Sequence, residues 1–457
     1  MDLFSPADRR PVHFVGIGGA GMSALALIAS RRGIVVSGCD TDLTGAADLA
    51  ARGVPLFTGH DPAHLEGVRA VIVTAAVPPG HPELVRAHEL GVPVVPRKDA
   101  LARLIGHARS VAVSGTHGKT TTTVMATEAL TAAGFDPTGI AGGRVSEWGG
   151  NARLAGDSLF VVEADEYDKA FLTLQPTIAI VNNVEPDHLE CYGSVNALED
   201  AFVEFAGRAS TAIVSADDPG ARRVGLRLPA KVLRFGFADD AEIAISNVVQ
   251  ASERTEARVT WKAGPALSVR LGVPGIHNLR NAVAALAAVE ALGGDLAAAA
   301  SALERFHGVG RRFERLGEHG GVAVVDDYAH HPTELAATLS AARQAYPDRR
   351  IVAVFQPHLY SRTAQHGQAM GQALAAADLV IVTEVYAARE QPIVGVSGRQ
   401  VAEAARGAGA NASFEPVRAD VGRRVYEALK PGDVVLTLGA GDITRVGAEL
   451  VRWLDAA

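Results

Sequence analysis

The chain has 457 residues, too many for one ordinary core and a natural size for two or three domains. With 48% hydrophobic and 21% charged residues and a formal charge of −8, it reads as a globular protein with no general attraction for nucleic acid or anionic lipid. An anionic substrate must then be held by local basic residues and helix N-termini. No apolar run approaches the ~18 residues of a membrane helix. The opening MDLFSPADRRPV lacks the apolar core of a secretory signal, so a soluble cytoplasmic protein is expected. Cys39 and Cys191 cannot form a disulfide framework, and their separation fits no zinc pattern. Both read as buried or incidental thiols in a reducing compartment.

Short β-branched runs alternate with helical stretches from end to end, which predicts α/β layers around parallel sheets. The first block, residues 1–108, opens with the strand Val12–Val15 and continues through GIVVSGCD and AVIVTAAV. A second block, 109–312, starts at SVAVSG and contains SLFVVEAD, TIAIVNNV and a strand-rich stretch around RVTWKAGPALSVRLGVPG. It closes on an alanine-rich helical pair, Asn281–Leu292 and Leu296–Phe306, broken at Gly293-Gly294-Asp295. The third block, 313–457, alternates again through VAVVDDY, RIVAVFQPH, DLVIVTEVY and DVVLTLGAGD. No fixed-period repeat is visible, and three α/β domains are expected.

Two glycine turns join a strand to a helix. Gly16, Gly18, Gly19 and Gly21, followed by Met22, permit a tight turn and close backbone approach to a diphosphate at a helix N-terminus. Asp40 ends the next strand about where an acid would meet a ribose hydroxyl, although such an acid is also a common solvated cap. Alone this turn would suit a nicotinamide dehydrogenase. The second turn, Gly115-Thr116-His117-Gly118-Lys119-Thr120-Thr121, can wrap phosphate oxygens with backbone N–H groups. Lys119 would neutralise terminal phosphates and Thr120 would offer a hydroxyl to magnesium. Val113 stands where the strict phosphate loop has its first glycine. A dehydrogenase has no use for a triphosphate loop, whereas an enzyme that activates a nucleotide-linked substrate with ATP needs both turns.

Glu163-Ala164-Asp165-Glu166 and Glu185-Pro186-Asp187-His188 fall at strand C-terminal ends, where open α/β sheets place ligands. Magnesium keeps few protein ligands beside nucleotide phosphates, and Glu163 and His188 are the candidates, with Thr120. His188 also suits a plain helix cap.

GIGGAGMSALA, GTHGKTTTT, EADEYDKAFLTLQP, NNVEPDHL, GIHNLRNAVAA, GVGRRFE, DDYAHHPTE, FQPHLYSRT and GAGDI stand in one order along nearly the whole chain. In this the chain resembles the Mur ligase family, and DDYAHHPTE and FQPHLYSRT look like its alanine-adding branch. The resemblance implies a Rossmann-like first domain holding a UDP-sugar, a central P-loop ATPase-like domain, and a Rossmann-like third domain that closes on ATP and admits the amino acid. It implies an ATP- and Mg2+-dependent ligase joining L-alanine to the lactyl carboxylate of UDP-N-acetylmuramate, as a monomer or homodimer.

By the same resemblance, Lys119 contacts the ATP phosphates, and Thr120, Glu163 and His188 surround magnesium. Asn278, Asn281, Arg312 and Asp326 or Asp327 reach the nucleotide, and His330 and Arg362 meet the amino acid. His188 and His330 are the two candidates for the base that takes the amine proton. Plainer readings stand beside these. Asn281 opens a helix and suits a cap; Arg311 and Arg312 suit a solvated hinge pair; His358 suits a loop contact and Arg362 a surface charge. Three departures from the family pattern are Leu359, often arginine, Tyr167, commonly serine, and a segment Ser194–Arg208 without the lysine that later-acting relatives carbamylate.

Overall fold

In a computed structural model of the protein, residues 3–229, 231–251, 254–388 and 390–456 are described. The chain packs as two compact units. One comprises Met1–Val248, Glu256–Arg270 and Leu279–Phe306; the other comprises Val249–Thr255, Leu271–Asn278 and His307–Ala457.

The first unit holds two sheets. Strands β1 (Val12–Val15), β2 (Val36–Asp40), β3 (Leu56–Thr58), β4 (Ala70–Val73) and β5 (Val94–Pro96) form a parallel sheet in the order β3-β2-β1-β4-β5. The strand order reverses at β1, and an open α/β sheet presents its ligand crevice at such a point. The second sheet has ten strands: β6 (Arg109–Ser114), β7 (Thr138–Val145), β8 (Gly150–Arg153), β9 (Leu159–Glu163), β10 (Ile178–Val181), β11 (Thr211–Ser215), β12 (Lys231–Gly236), β13 (Ile243–Gln250), β14 (Thr255–Trp261) and β15 (Ala266–Leu271). Its order is β15-β14-β13-β12-β11-β10-β6-β9-β7-β8, so β6 lies between β10 and β9, both parallel to it. Continuous runs such as Val111-Ala112-Val113 and Ile178–Val181 are buried on both faces, as parallel strands under helices require.

The helix Ala20–Arg31 follows β1 and packs against β7 and β8 of the second sheet. One continuous apolar core therefore runs from Phe14, Leu25 and Ile28 to Ile140, Phe160 and Phe202. The other face of the first sheet carries a smaller cluster of Val15, Cys39, Leu65, Val68, Val71 and Ala87.

The second unit contains β16 (Glu314–His319), β17 (Val322–Asp327), β18 (Ile351–Phe355), β19 (Leu379–Thr383), β20 (Ala412–Glu415) and β21 (Val434–Leu438), in the order β16-β17-β21-β18-β19-β20. Only β16 runs antiparallel, against β17, and each face has its own apolar cluster. The anticipated strands are all present. One helix differs: it spans Ile276–Ala291, so Asn281 lies inside the helix and does not open it.

Candidate active site

The first glycine turn is closed by its own neighbours. Gly16 takes φ +83°, and the Gly16 and Ile17 N–H groups donate to the Cys39 carbonyl at 2.9 and 3.1 Å. A Cβ on Gly18 would sit 2.2 Å from the Asp42 carbonyl oxygen, so a side chain is excluded there. Asp40 Oδ2 accepts from Gly18 N at 2.9 Å, and its Oδ1 accepts from Asp42 N at 3.2 Å. Asp40 thus shapes the turn, besides ending β2 as expected. Gly19 caps the helix Ala20–Arg31 without a side-chain bond, and Met22 is buried in its first turn. Sequence reading passed over Arg97. A Cβ on Gly21 would lie 2.9 Å from its Nη1, which puts a guanidinium beside a helix N-terminus. Its position just after β5, at the C-terminal edge of the sheet, was the available signal.

The second turn follows β6 and is bolted to the segment after β10. Thr116 N donates to the Asn183 carbonyl at 3.2 Å, His117 N donates to Asn183 Oδ1 at 2.7 Å, and Glu185 N donates to Thr116 Oγ1 at 2.9 Å. Gly115 and Gly118 hold φ of +132° and +79°. A Cβ at Gly118 would lie 2.7 Å from Asn281 Oδ1, so Asn281 lies against the turn and is no cap. The helix Lys119–Ala132 then begins, with Thr120 and Thr121 almost buried at its first turn.

Lys119 Nζ donates to both carboxylate oxygens of Glu166, at 2.9 and 2.8 Å, and to the Gly115 and Thr116 carbonyls at 2.7 and 3.3 Å. Burial opposes the ammonium, but the carboxylates of Glu166, Asp165 and Glu163 outweigh it and hold the Lys119 pKa above its ordinary value. Glu166 stood inside the motif EADEY, yet nothing local distinguished it from Glu163 as the partner of a lysine 47 positions away.

Glu163 ends β9 in register with Val113 of β6, and its carboxylate accepts from Gly142 N of β7. His188 has φ +52°, precedes the short helix Leu189–Tyr192, and lies with Nδ1 3.4 Å from Glu190 and Nε2 3.7 Å from Asp187. Tyr167, the departure from serine, packs its ring edge-on to His188 with centroids 5.1 Å apart. Glu163 thus closes β9, while Thr120 and His188 follow the C-terminal ends of β6 and β10, and these three strands are adjacent in the sheet.

In the second unit, Asn278 Nδ2 donates to the Pro274 carbonyl at 2.8 Å. Arg311 is no solvated hinge charge: Nε donates to Asp326 Oδ2 at 3.2 Å and Nη2 to the Gly439 carbonyl at 2.7 Å. Asp326 is fully buried and also accepts from Thr437 and Thr444. Arg312 and Arg311 both lie over the Tyr328 ring at 4.9 Å. Asp327 accepts from Ala329 N and Phe313 N at 2.7 and 2.8 Å, and burial pushes its carboxyl up to about 6 against the pull of Arg312.

His330 Nδ1 is 2.9 Å from the Tyr328 carbonyl and 3.3 Å from Glu334, and its ring is 6.1 Å from that of His358. Arg362 is only 7% exposed, which overturns the surface-charge reading, and its Nη1 lies 3.4 Å from His358 Nδ1. His330, His358 and Arg362 therefore gather at the C-terminal ends of β17 and β18. Leu359 opens the helix Tyr360–Leu374 at φ +69° and is itself buried, so it offers no charge there.

Two glycine turns at strand–helix junctions, a lysine paired with a buried carboxylate, and acids at strand ends thus sit along two sheets, and each sheet overlaps a match to a known family. A Mur ligase family, catalytic domain model matches residues 11–109, a Mur ligase middle domain model 113–289, and a Mur ligase, glutamate ligase domain model 311–441. UDP-N-acetylmuramate–L-alanine ligase of Mycolicibacterium vanbaalenii is 46% identical over 99% of this chain and 98% of its own. The enzyme of that name from Streptomyces griseus is 45% identical over 98% of each. The crystal structure of UDP-N-acetylmuramate–alanine ligase from Thermotoga maritima matches with a TM-score of 0.84 at 32% identity, over 98% of this chain and all of that one. With matches of this kind running from β1 to the end of β21, the chain belongs to the Mur ligase family.

Proposed function

We propose that this chain joins L-alanine to the lactyl carboxylate of UDP-N-acetylmuramate at the expense of ATP, in peptidoglycan precursor synthesis in the cytoplasm. The observation that carries the reading is the second glycine turn. Its backbone is anchored by Asn183, its helix starts on Gly118, and its lysine is held in the charged form. Full-length relatives at 45 and 46% identity bearing that activity in their names support the acceptor assignment. No helix among the described residues is long and apolar enough to cross a membrane.

Each block has a task in this reading. Gly16, Gly18, Gly19, Gly21, Met22 and Asp40 hold the UDP moiety, with Arg97 an added cation for its diphosphate. Gly115, Thr116, His117, Gly118, Lys119, Thr120 and Thr121 hold the triphosphate, and Asn278, Asn281, Arg312, Asp326 and Asp327 serve the nucleotide. Because Asp326 and Asp327 already accept hydrogen bonds from their own unit, their part is to position Arg311 and Arg312. A lactyl carboxylate oxygen attacks the γ-phosphorus, ADP leaves, and an acyl phosphate forms. The alanine amine then attacks the acyl carbon and inorganic phosphate departs. One amine proton passes to a base, for which His188 and His330 are the candidates. Arg362 pairs the alanine carboxylate, with His330 beside it.

The oxygen donors Glu163 and Thr120 at adjacent strand ends suit a hard divalent cation, and His188 completes the proposed Mg2+ ligands. Bound there, Mg2+ would offset charge on the transferring phosphoryl group. Lys119 would share that task from the turn. The test is phosphate release from ATP and Mg2+ with UDP-N-acetylmuramate, comparing L-alanine, a cell-wall tripeptide and no acceptor. Release that requires L-alanine supports the proposal. Release only with the tripeptide moves the chain to a recycling role, and none at all overturns the ligase reading.

A further inference from the structure

A second cluster of metal-binding side chains lies in the first sheet, away from the two glycine turns. His13 is on β1, Cys39 on β2, His64 in the turn Pro62–Leu65, and Glu83 in the first turn of the helix Pro82–Glu89. One ligand atom from each lies within 4.8 Å of every other. With Glu83 Oε1 as its ligand atom, individual separations are 3.2 Å from Cys39 Sγ, 2.8 Å from His64 Nδ1 and 3.8 Å from His13 Nε2. A tetrahedral ion at nitrogen and oxygen distances of ~2.0–2.1 Å and a sulfur distance of ~2.3 Å spaces its ligand atoms by about 3.3–3.7 Å. The observed set brackets that spacing.

Two further observations point to a ligand. His13 is wholly buried, and its Nδ1 lies 2.9 Å from Ser37 Oγ, which fixes the ring. Its Nε2, turned into the cluster, has no hydrogen-bond partner among the described residues. A buried ring nitrogen without a partner is costly, whereas a metal-bound histidine held by a hydrogen bond through its other nitrogen is the usual arrangement. His60 and His81 form a more exposed outer layer: His60 Nδ1 is 3.6 Å and His81 Nδ1 3.9 Å from Glu83 Oε2.

We propose that His13, Cys39, His64 and Glu83 bind a borderline-soft divalent ion of the zinc class, with Ser37 orienting His13. Thiolate and imidazole select such an ion over magnesium or calcium. The ion displaces the Cys39 thiol proton to solvent, giving a thiolate–metal bond. Its four ligands come from separate elements around one sheet, so the bound ion fastens the turn Pro62–Leu65 and the helix Pro82–Glu89 to β1 and β2. This site stands independently of the ligase assignment.

The test uses the full-length chain, stripped with a chelator and titrated with Co2+ in excess Mg2+. Saturation of a thiolate-to-cobalt absorption band at one equivalent, reversed by Zn2+, is expected. Cys39→Ser should abolish the band and Cys191→Ser should keep it. Ser37→Ala should lower Zn2+ affinity ~10–100-fold, as loss of an orienting partner does. His64→Asn, a change at the cluster's partly exposed edge, covers the case of an unfolded Cys39 variant and should lower affinity at least as much. No band in the wild type, a band that survives Cys39→Ser, or an unchanged affinity in His64→Asn would each overturn the site.

Discussion

Lys119 and Glu166 show at the level of single residues how a motif and its partner differ in legibility. The glycine turn with its lysine was readable because every part lies within seven positions. Glu166 was not, since its pairing depends on β9 lying beside β6. Removing the lysine alone leaves a buried carboxylate, a loss of ~3–5 kcal/mol when such a pair is broken. Lys119→Ala should therefore lower the thermal midpoint as well as abolish phosphate release. Lys119→Ala with Glu166→Gln should recover most of the midpoint and none of the activity. Near-wild-type release in either protein, measured alongside circular dichroism, would remove Lys119 from the mechanism.

At the scale of elements, two features set expectations. Gly118 ends the turn at positive φ with no room for a methyl group beside Asn281. Gly118→Ala should cost ~1 kcal/mol of backbone strain and push Asn281 aside, raising KM for ATP by roughly tenfold or more. An unchanged KM in steady-state kinetics would mean that this geometry does not matter for the nucleotide. The second feature is Asp327 at the end of β17. Its native carboxyl keeps its proton to about pH 6, against 3.8 for the ordinary group. The native state therefore binds more protons between those values. The stabilisation is full below pH 3.8 and lost as pH rises through 6, on the order of 3 kcal/mol at most. Thermal midpoints of Asp327→Asn should lack that slope between pH 4 and 7, and parallel curves for the two proteins would refute the shift. Strand patterns were legible where runs such as VAVVDD are buried on both faces. The short strand β3 and the edge strand β16 carry no such signal, because none of their residues is fully buried. The histidines around Glu83 were invisible for another reason: they are scattered from residue 13 to residue 81 and meet only through sheet order.

For the whole molecule, composition and alternation gave the α/β class and an expectation of three α/β domains, but not the packing of the first two sheets on one core in a single compact unit. The helix Ala20–Arg31 lies on β7 and β8, and the Arg32 guanidinium stands over the Phe160 ring at 5.3 Å. A fragment of residues 1–108 would expose the apolar face of that helix. It should bind a hydrophobic dye and lack sharp near-ultraviolet circular dichroism, whereas a fragment of 1–306 should fold more cooperatively. A well-ordered 1–108 fragment would show that the shared core contributes little.

The Lys119–Glu166 contact also has a consequence for selectivity among anions. With the ammonium already bonded to a tethered carboxylate, every arriving anion meets an incumbent at high effective concentration. A singly bonded ion such as sulfate or acetate gains little by displacing it. On the proposed reading, a polyphosphate that also engaged backbone N–H groups of the turn would outcompete it and release Glu166. The Lys119–Glu166 pair would then set a threshold that a simple anion does not reach.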